Sequence, residues 1–241
     1  MKPFRLIGGL AAVALLLPAI AFAQQPGPCC VLPDNGGGTA ALPPNCAVGY
    51  TGPGQITDGL TPAGTLQVAA RLHSFFNVVE TPGGGLAGNK QNWNATLDLN
   101  LTGTGAWLGY NRLVSMQVVG ETHSAPRVPF APVQTFATDV YTLQGQLPPA
   151  DPDFDLLRIT GGSGFGMPSP GQTTLTSSGG GWAVDSFFDI TYRADFVGDP
   201  AGPFAGRSGS TINLIQRFEM CHERPTPAEP RSWGHVKAIY R

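Results

Sequence analysis

Charged residues are scarce in this chain. Lys and Arg number 14 and Asp and Glu 16 among 241 residues, which is 12% of the sequence and leaves a formal net charge of −2. An average domain carries about 25% charged residues. Nucleic-acid binding through phosphate contacts needs clustered Lys and Arg. The composition therefore argues against a nucleic-acid partner, and the same shortage of Glu, Lys and Arg argues against a coiled coil.

Long apolar runs are missing after the N-terminus. Residues 6–20 are apolar, but this run is shorter than the roughly 20 residues that a membrane-spanning helix needs. Lys2 and Arg5 precede it, and the small-residue pattern at 21–23 fits a signal-peptidase site. We therefore expect residues 1–23 to be a signal peptide, with an uncleaved anchor as the alternative. The protein is then exported, periplasmic or extracellular, with no membrane span after cleavage.

The motifs of common catalytic sites are absent as well. Residues 161–165 and 206–210 approach the Gly-x-Ser-x-Gly elbow of serine hydrolases, but both lack its last glycine. None of the three lysines lies in a phosphate-binding loop, and no two of the four histidines lie within one helix turn, as a zinc hydrolase would require. None of these common motifs therefore identifies a catalytic residue.

The four cysteines, Cys29, Cys30, Cys46 and Cys221, all follow the predicted signal peptide. An even number in an oxidising compartment favours disulfides. Adjacent cysteines rarely bond to each other, so we expect one of Cys29 and Cys30 to pair with Cys46 and the other with Cys221. The shorter loop is worth roughly 3 kcal/mol. The alternative, a metal site that includes His222, lacks the Cys-x-x-Cys spacing that zinc sites use.

Two regions differ in pattern after the signal. Residues 24–63 are rich in Pro and Gly, which predicts a disulfide-stapled extension without regular structure. Residues 64–241 contain alternating apolar and polar positions, clearest at 66–72, 94–102 and 188–196, separated by Gly/Pro turns. Period-2 alternation is typical of half-exposed antiparallel strands. We predict an all-β domain, an antiparallel two-sheet sandwich, with a closed β-barrel as the alternative because both alternate in the same way.

Three segments carry a resemblance. Val-Asp-Ser-Phe-Phe-Asp-Ile-Thr-Tyr at 184–192, Asp-Pro-Asp-Phe at 151–154 and Pro-Ser-Pro-Gly at 168–171 resemble motifs of a family of exported bacterial β-rich proteins with no known activity. The resemblance implies secretion and a β-rich fold. It supplies no catalytic residue.

Asp151, Asp153 and Asp155 form the main acidic cluster. Three carboxylates at alternate positions in a Pro-bounded loop suit Ca²⁺, which takes 6–8 oxygen ligands. The pattern departs from a calcium-binding EF-hand loop, because Leu156 stands where glycine is needed and Gly162 where a glutamate is needed. Calcium is the one candidate cofactor, and a solvated turn is the alternative.

Trp107 and Trp182 lie beside glycine-rich turns. Flat aromatic rings stack on sugar faces, so these two side chains are candidate ligand-binding residues. The alternative is that they pack over glycines at strand ends.

Two further pairs of side chains are candidates for catalysis. Glu121 and His123 share one face of a predicted strand, as a general base requires. Asp185 and Asp189 stand about 13 Å apart along a strand, beyond the 5–9.5 Å of glycosidase carboxylates.

These observations lead us to expect a secreted, non-catalytic structural or interaction module whose partner is a polysaccharide or an envelope protein. The alternatives are a carbohydrate-binding module with a Ca²⁺ site and an unrecognised hydrolase that uses Glu121 and His123.

Overall fold

The computed structural model describes residues 30–220, which form ten β-strands and two short 3-10 turns, with every strand pairing antiparallel. The strands are β1 (Val31–Pro33), β2 (Tyr50–Ile56), β3 (Leu66–Pro82), β4 (Asn89–Gly103), β5 (Asn111–Ser124), β6 (Val133–Gln146), β7 (Phe154–Gly161), β8 (Pro170–Ser178), β9 (Gly181–Gly198) and β10 (Ser208–Met220). The predicted antiparallel all-β fold is confirmed. No helix within the described residues is long and apolar enough to cross a membrane.

The strand order returns to its starting point. Strands β9, β10, β2, β3, β4, β5 and β6 are neighbours in that order, and β7 and β8 then pair with both β6 and β9. Strands β7 and β8 lie end to end between β6 and β9, and residues 162–169 connect them. The sheet curls so that opposing parts of its inward face pack against each other in one core, as in the predicted sandwich-like packing.

The alternating segments place their apolar residues inside, as predicted. The apolar positions of 66–72, 95–101 and 188–196 are all buried. Cavities between core side chains such as Leu97, Ile159 and Phe188 have volumes of about 20 Å³ and 10 Å³. Each is room for about one water molecule. The interior is therefore filled by side chains.

One end of the sheet is covered by an N-terminal plug, residues 39–46. Ala40 and Leu42 in this plug are buried, and Cys46 forms a disulfide with Cys30 across a Cα–Cα distance of 5.7 Å. This confirms that one of the two adjacent cysteines pairs with Cys46. The extension predicted over 24–63 also contributes β2, which pairs with β3 along its whole length.

The opposite end is covered by the turn between β9 and β10. Phe204 in this turn has no exposed surface. Its ring stacks on Phe154 with centroids 5.2 Å apart and meets Tyr110 edge-on at 5.0 Å. Both ends of the core are thus closed by the chain's own residues.

Strands β2 and β10 are joined mainly by hydrogen bonds from side chains, with few hydrogen bonds between their backbones. The ladder itself pairs only Glu219 with Thr51. The buried Asn213 amide accepts a hydrogen bond from the Gln55 N–H at 2.8 Å and donates to the Gln55 carbonyl at 2.9 Å. Pro53 has no N–H to offer a neighbouring strand, which is why proline is normally confined to sheet edges. We call this junction the β2–β10 seam.

Strands β1 and β10 both pair with β9. The Cys30 carbonyl accepts from the Val184 N–H at 3.1 Å, and Met220 pairs with Ser186. Strand β8 occupies the other edge of β9 there, so β1 and β10 lie in line along the same edge. The sequence predicts that the partner of Cys221 is whichever of Cys29 and Cys30 does not pair with Cys46, which leaves Cys29. Cys29 and Cys221 themselves lie outside the described residues, so this second disulfide stays a prediction.

Peptide mapping checks this expectation. In the double variant Cys30→Ser/Cys46→Ser, digestion without reductant should recover one cross-linked peptide joining Cys29 and Cys221. Two free thiols at these positions, each alkylated without prior reduction, would contradict it.

Candidate functional site

The predicted calcium residues surround an arginine. Arg112 contacts both carboxylate oxygens of Asp151 and lies 2.6 Å from Asp153, which also accepts from the Tyr110 hydroxyl at 2.7 Å. Burial alone would raise the pKa of Asp151, but the hydrogen bonds from Arg112 and from backbone N–H groups outweigh it and lower that pKa. Asp155 is exposed. A Ca²⁺ ion at this cluster would have to displace Arg112, and within residues 30–220 no group of three or more His, Cys, Asp or Glu is arranged to hold a metal.

The two candidate tryptophans lie at opposite ends of β9. Trp182, near its start, is only 5% exposed and donates from Nε1 to Asp34 at 2.9 Å. Trp107 is half-buried and donates to the carbonyl of Pro203, in the turn after β9, at 3.2 Å. The structure therefore does not bring them together as one stacking platform.

Glu121 and His123 do meet, as the sequence predicts, with Nε2 of the imidazole 2.7 Å from the carboxylate. However, His123 is buried, its Nδ1 accepts the Gly85 N–H at 3.1 Å, and its ring stacks on Tyr141. Both ring nitrogens of His123 therefore already have hydrogen-bond partners within the protein. This imidazole has no lone pair left for a substrate proton, and its contacts anchor the β3–β4 turn.

Asp185 and Asp189 share the outer face of β9 and stay apart. Asp185 is exposed, whereas Asp189 accepts from Nε and Nη2 of Arg217 at 2.8 and 2.7 Å. The hydrogen bonds from Arg217 lower the pKa of Asp189. The two carboxylates do not form a pair.

A second imidazole–carboxylate pair, which the sequence did not reveal, joins β3 to β4. His73 Nε2 lies 2.9 Å from Asp98 Oδ2, and the Ser115 hydroxyl donates to the other carboxylate oxygen. Burial alone would raise the pKa of Asp98, but the hydrogen bonds from Ser115 and His73 and the charge of Arg71 outweigh it and hold that pKa below its usual range. Asp98 is therefore an ionised acceptor at neutral pH.

A β-bulge places Ser74 beside this pair. The β3–β4 register shifts between His73 and Phe76, and Ser74 has a φ of 55°. A bulge puts two consecutive side chains on one face, where a regular strand would put them on opposite faces. The Ser74 hydroxyl consequently lies 2.8 Å from His73 Nδ1, while Phe75 points into the core. Asn45 of the plug holds the bulge through two hydrogen bonds to the Phe75 backbone, each 3.1 Å.

An open groove follows β2 on the same outer face. It has a volume of about 450 Å³, a floor of small residues that includes Gly52, Pro53 and Ala69, and Arg71 and Arg217 at its sides. A Cβ on Gly52 would come within 2.7 Å of the Phe218 ring. We call this depression the β2 groove.

Polar side chains cover the sheet beside the β2 groove. The outward positions of β4 are amides, hydroxyls and one carboxylate: Asn92, Asn94, Thr96, Asp98, Asn100 and Thr102. Ser115 and Gln117 continue this polar ladder onto β5. Some of these side chains bond each other, since Ser115 donates to Asp98 and Gln117 donates to Thr96. The amides of the ladder are both donors and acceptors of hydrogen bonds.

The chain as a whole matches no family model of known proteins, no curated protein and no solved structure. The resemblance to exported β-rich bacterial proteins stays a prediction.

Proposed function

We propose that this protein is an exported interaction module that binds a polysaccharide on the outer face of β2–β5. The observation that carries the proposal is the filled interior. Core cavities hold about one water molecule each, and Phe204 at one end and the plug at the other close the core. A ligand larger than water therefore has to bind outside.

The chemistry of the outer face suits a chain of sugars. The β2 groove is an open depression lined partly by small residues, and the polar ladder on β4 lies beside it. Amide and hydroxyl side chains can both donate to and accept from sugar hydroxyls. Opposite charges alternate around the groove, with Arg217 paired to Asp189 and Arg71 near Asp98.

Three features support export. The signal-like segment at 1–23, the resemblance noted above and the Cys30–Cys46 disulfide all agree with an oxidising compartment.

Binding to a panel of soluble polysaccharides, measured by calorimetry and thermal melts of the oxidised protein, tests the proposal. A ligand present at 100 times its Kd should stabilise the fold by about 2.7 kcal/mol. Asn94→Ala/Asn100→Ala should weaken binding at least tenfold, because it removes two amides of the ladder. Arms with Ca²⁺ and with EDTA test the predicted calcium dependence.

The matched control is Thr174→Ala, which removes a half-buried hydroxyl from β8, away from this face. It should leave binding unchanged. If no polysaccharide binds, or if Asn94→Ala/Asn100→Ala binds as tightly as the parent protein, the proposed function is wrong.

A further inference from the structure

We propose that Ser74, His73 and Asp98 form an acyl-transfer site that hydrolyses esters of short carboxylic acids. The three side chains are linked in sequence by hydrogen bonds, with 2.8 Å from the Ser74 hydroxyl to His73 Nδ1 and 2.9 Å from Nε2 to Asp98. A nucleophile, a base and a group that orients the base are the parts that such a reaction needs.

The direction of the hydrogen bonds follows from the carboxylate. Ionised Asp98 only accepts, so the ring proton of neutral His73 resides on Nε2, and Nδ1 keeps its lone pair. That lone pair faces the Ser74 hydroxyl, which donates to it. In serine proteases, Nδ1 of the histidine faces the aspartate and Nε2 faces the serine. In this cluster the two nitrogens exchange these partners, but the serine still contacts a base whose other nitrogen is bound to a carboxylate.

His73 differs from His123 in what surrounds it. In His123 the second nitrogen is taken by a backbone N–H, and the ring is buried under a turn. In His73 the second nitrogen meets a side-chain hydroxyl on the open face of the sheet, and Ser74 is exposed. Of these two imidazole sites, the His73 cluster is the one that offers a substrate both a nucleophile and access.

The backbone at Ser74 supports a functional role. A non-glycine residue at positive φ is uncommon, and such strain collects at functional sites. Here the strain has a visible result, because the bulge brings the Ser74 hydroxyl to the face that carries the imidazole.

The reaction proceeds in two balanced steps. The Ser74 Oγ attacks the ester carbonyl carbon while its proton moves to His73 Nδ1. The carbon–alkoxy bond then breaks, and the alcohol leaves with that proton, so that an acyl-serine remains. Water attacks the acyl carbon, gives its proton to the same nitrogen and releases the carboxylic acid as the proton returns to Ser74. No oxidant or metal takes part.

The open setting defines the substrate class. Ser74 lies on an exposed sheet face, so a small acyl group on a good leaving group reaches it without rearrangement. Short-chain esters therefore fit better than amides, whose poorer leaving group requires stronger transition-state stabilisation. This proposal does not depend on polysaccharide binding.

The test uses the oxidised, signal-less protein with p-nitrophenyl acetate as substrate and a fluorophosphonate as covalent probe. We expect turnover above the buffer rate. We also expect a single phosphonate adduct, mapped to Ser74 by mass spectrometry. Ser74→Ala, His73→Gln and Asp98→Asn should each lower kcat/KM by about 100-fold or more.

Two controls separate chemistry from folding. Ser74→Gly removes the nucleophile but suits the positive φ, so it should lose turnover with an unchanged or higher melting temperature. Ser177→Ala removes an exposed serine of β8 that pairs with Trp182, and it should retain full turnover. The proposal is overturned if the parent protein shows neither turnover nor an adduct, if turnover persists in Ser74→Ala, or if the adduct maps to another serine.

Discussion

Phe204→Ala is expected to lower the free energy of unfolding by about 3–5 kcal/mol, the usual cost of emptying a buried phenylalanine site. Phe204 has no exposed surface and packs against Phe154 and Tyr110. Its ring also lies 5.8 Å from that of Trp107, so it joins the β9–β10 turn to the β4–β5 connection and to the start of β7. The substitution leaves a cavity where the turn after β9 closes the core.

Urea unfolding followed by tryptophan fluorescence measures this loss. Phe130→Ala is the matched control, because Phe130 is 79% exposed and its removal should change stability by no more than about 0.5 kcal/mol. A loss below about 1 kcal/mol for Phe204→Ala would show that the surrounding turns collapse into the vacated space, and that the closure of this end does not depend on the ring.

Asn213→Ala is expected to lower the free energy of unfolding by about 2–6 kcal/mol. The Asn213 amide satisfies both the N–H and the carbonyl of Gln55, and it is only 3% exposed. An unpaired buried polar group costs about 1–3 kcal/mol, and alanine leaves two of them. The two lost hydrogen bonds lie at the β2–β10 seam, where Pro53 already interrupts the backbone ladder.

Hydrogen exchange locates the effect. The Gln55 amide proton should exchange much faster in Asn213→Ala, while protons of the β3–β4 ladder should change only with global stability. Asn100→Ala, an exposed amide on β4, serves as the control and should leave both unchanged. If Gln55 exchange in Asn213→Ala matches the parent protein, then the amide does not hold the seam.

Local patterns in the sequence were informative about strands. Apolar residues alternate at 66–72 and 188–196, and these segments are strands with those residues buried. The alternation also ends at Leu72, one residue before the β3 bulge. The end of the alternation was the one signal in the sequence for the Ser74 cluster. However, it does not show on which face of the sheet the next side chain lies.

The spacing of acidic and histidine residues along the chain did not predict which groups they contact. Asp151 and Asp153 look like a calcium loop in isolation, but Arg112, 39 residues before Asp151, contacts both. Glu121 and His123 look like a catalytic pair, but the β3–β4 turn delivers the Gly85 N–H to the free nitrogen.

The division between sequence and tertiary structure has one physical cause. Side chains alternate because of the geometry of a single extended chain, so strand positions and inward faces, and with them the all-β fold, were determined by the sequence within each segment. Which strands become neighbours, and in which register, depends on the free energy of the whole core. Only the tertiary structure could decide that His73 meets Asp98, 25 residues away on the next strand, and that a bulge turns Ser74 toward them.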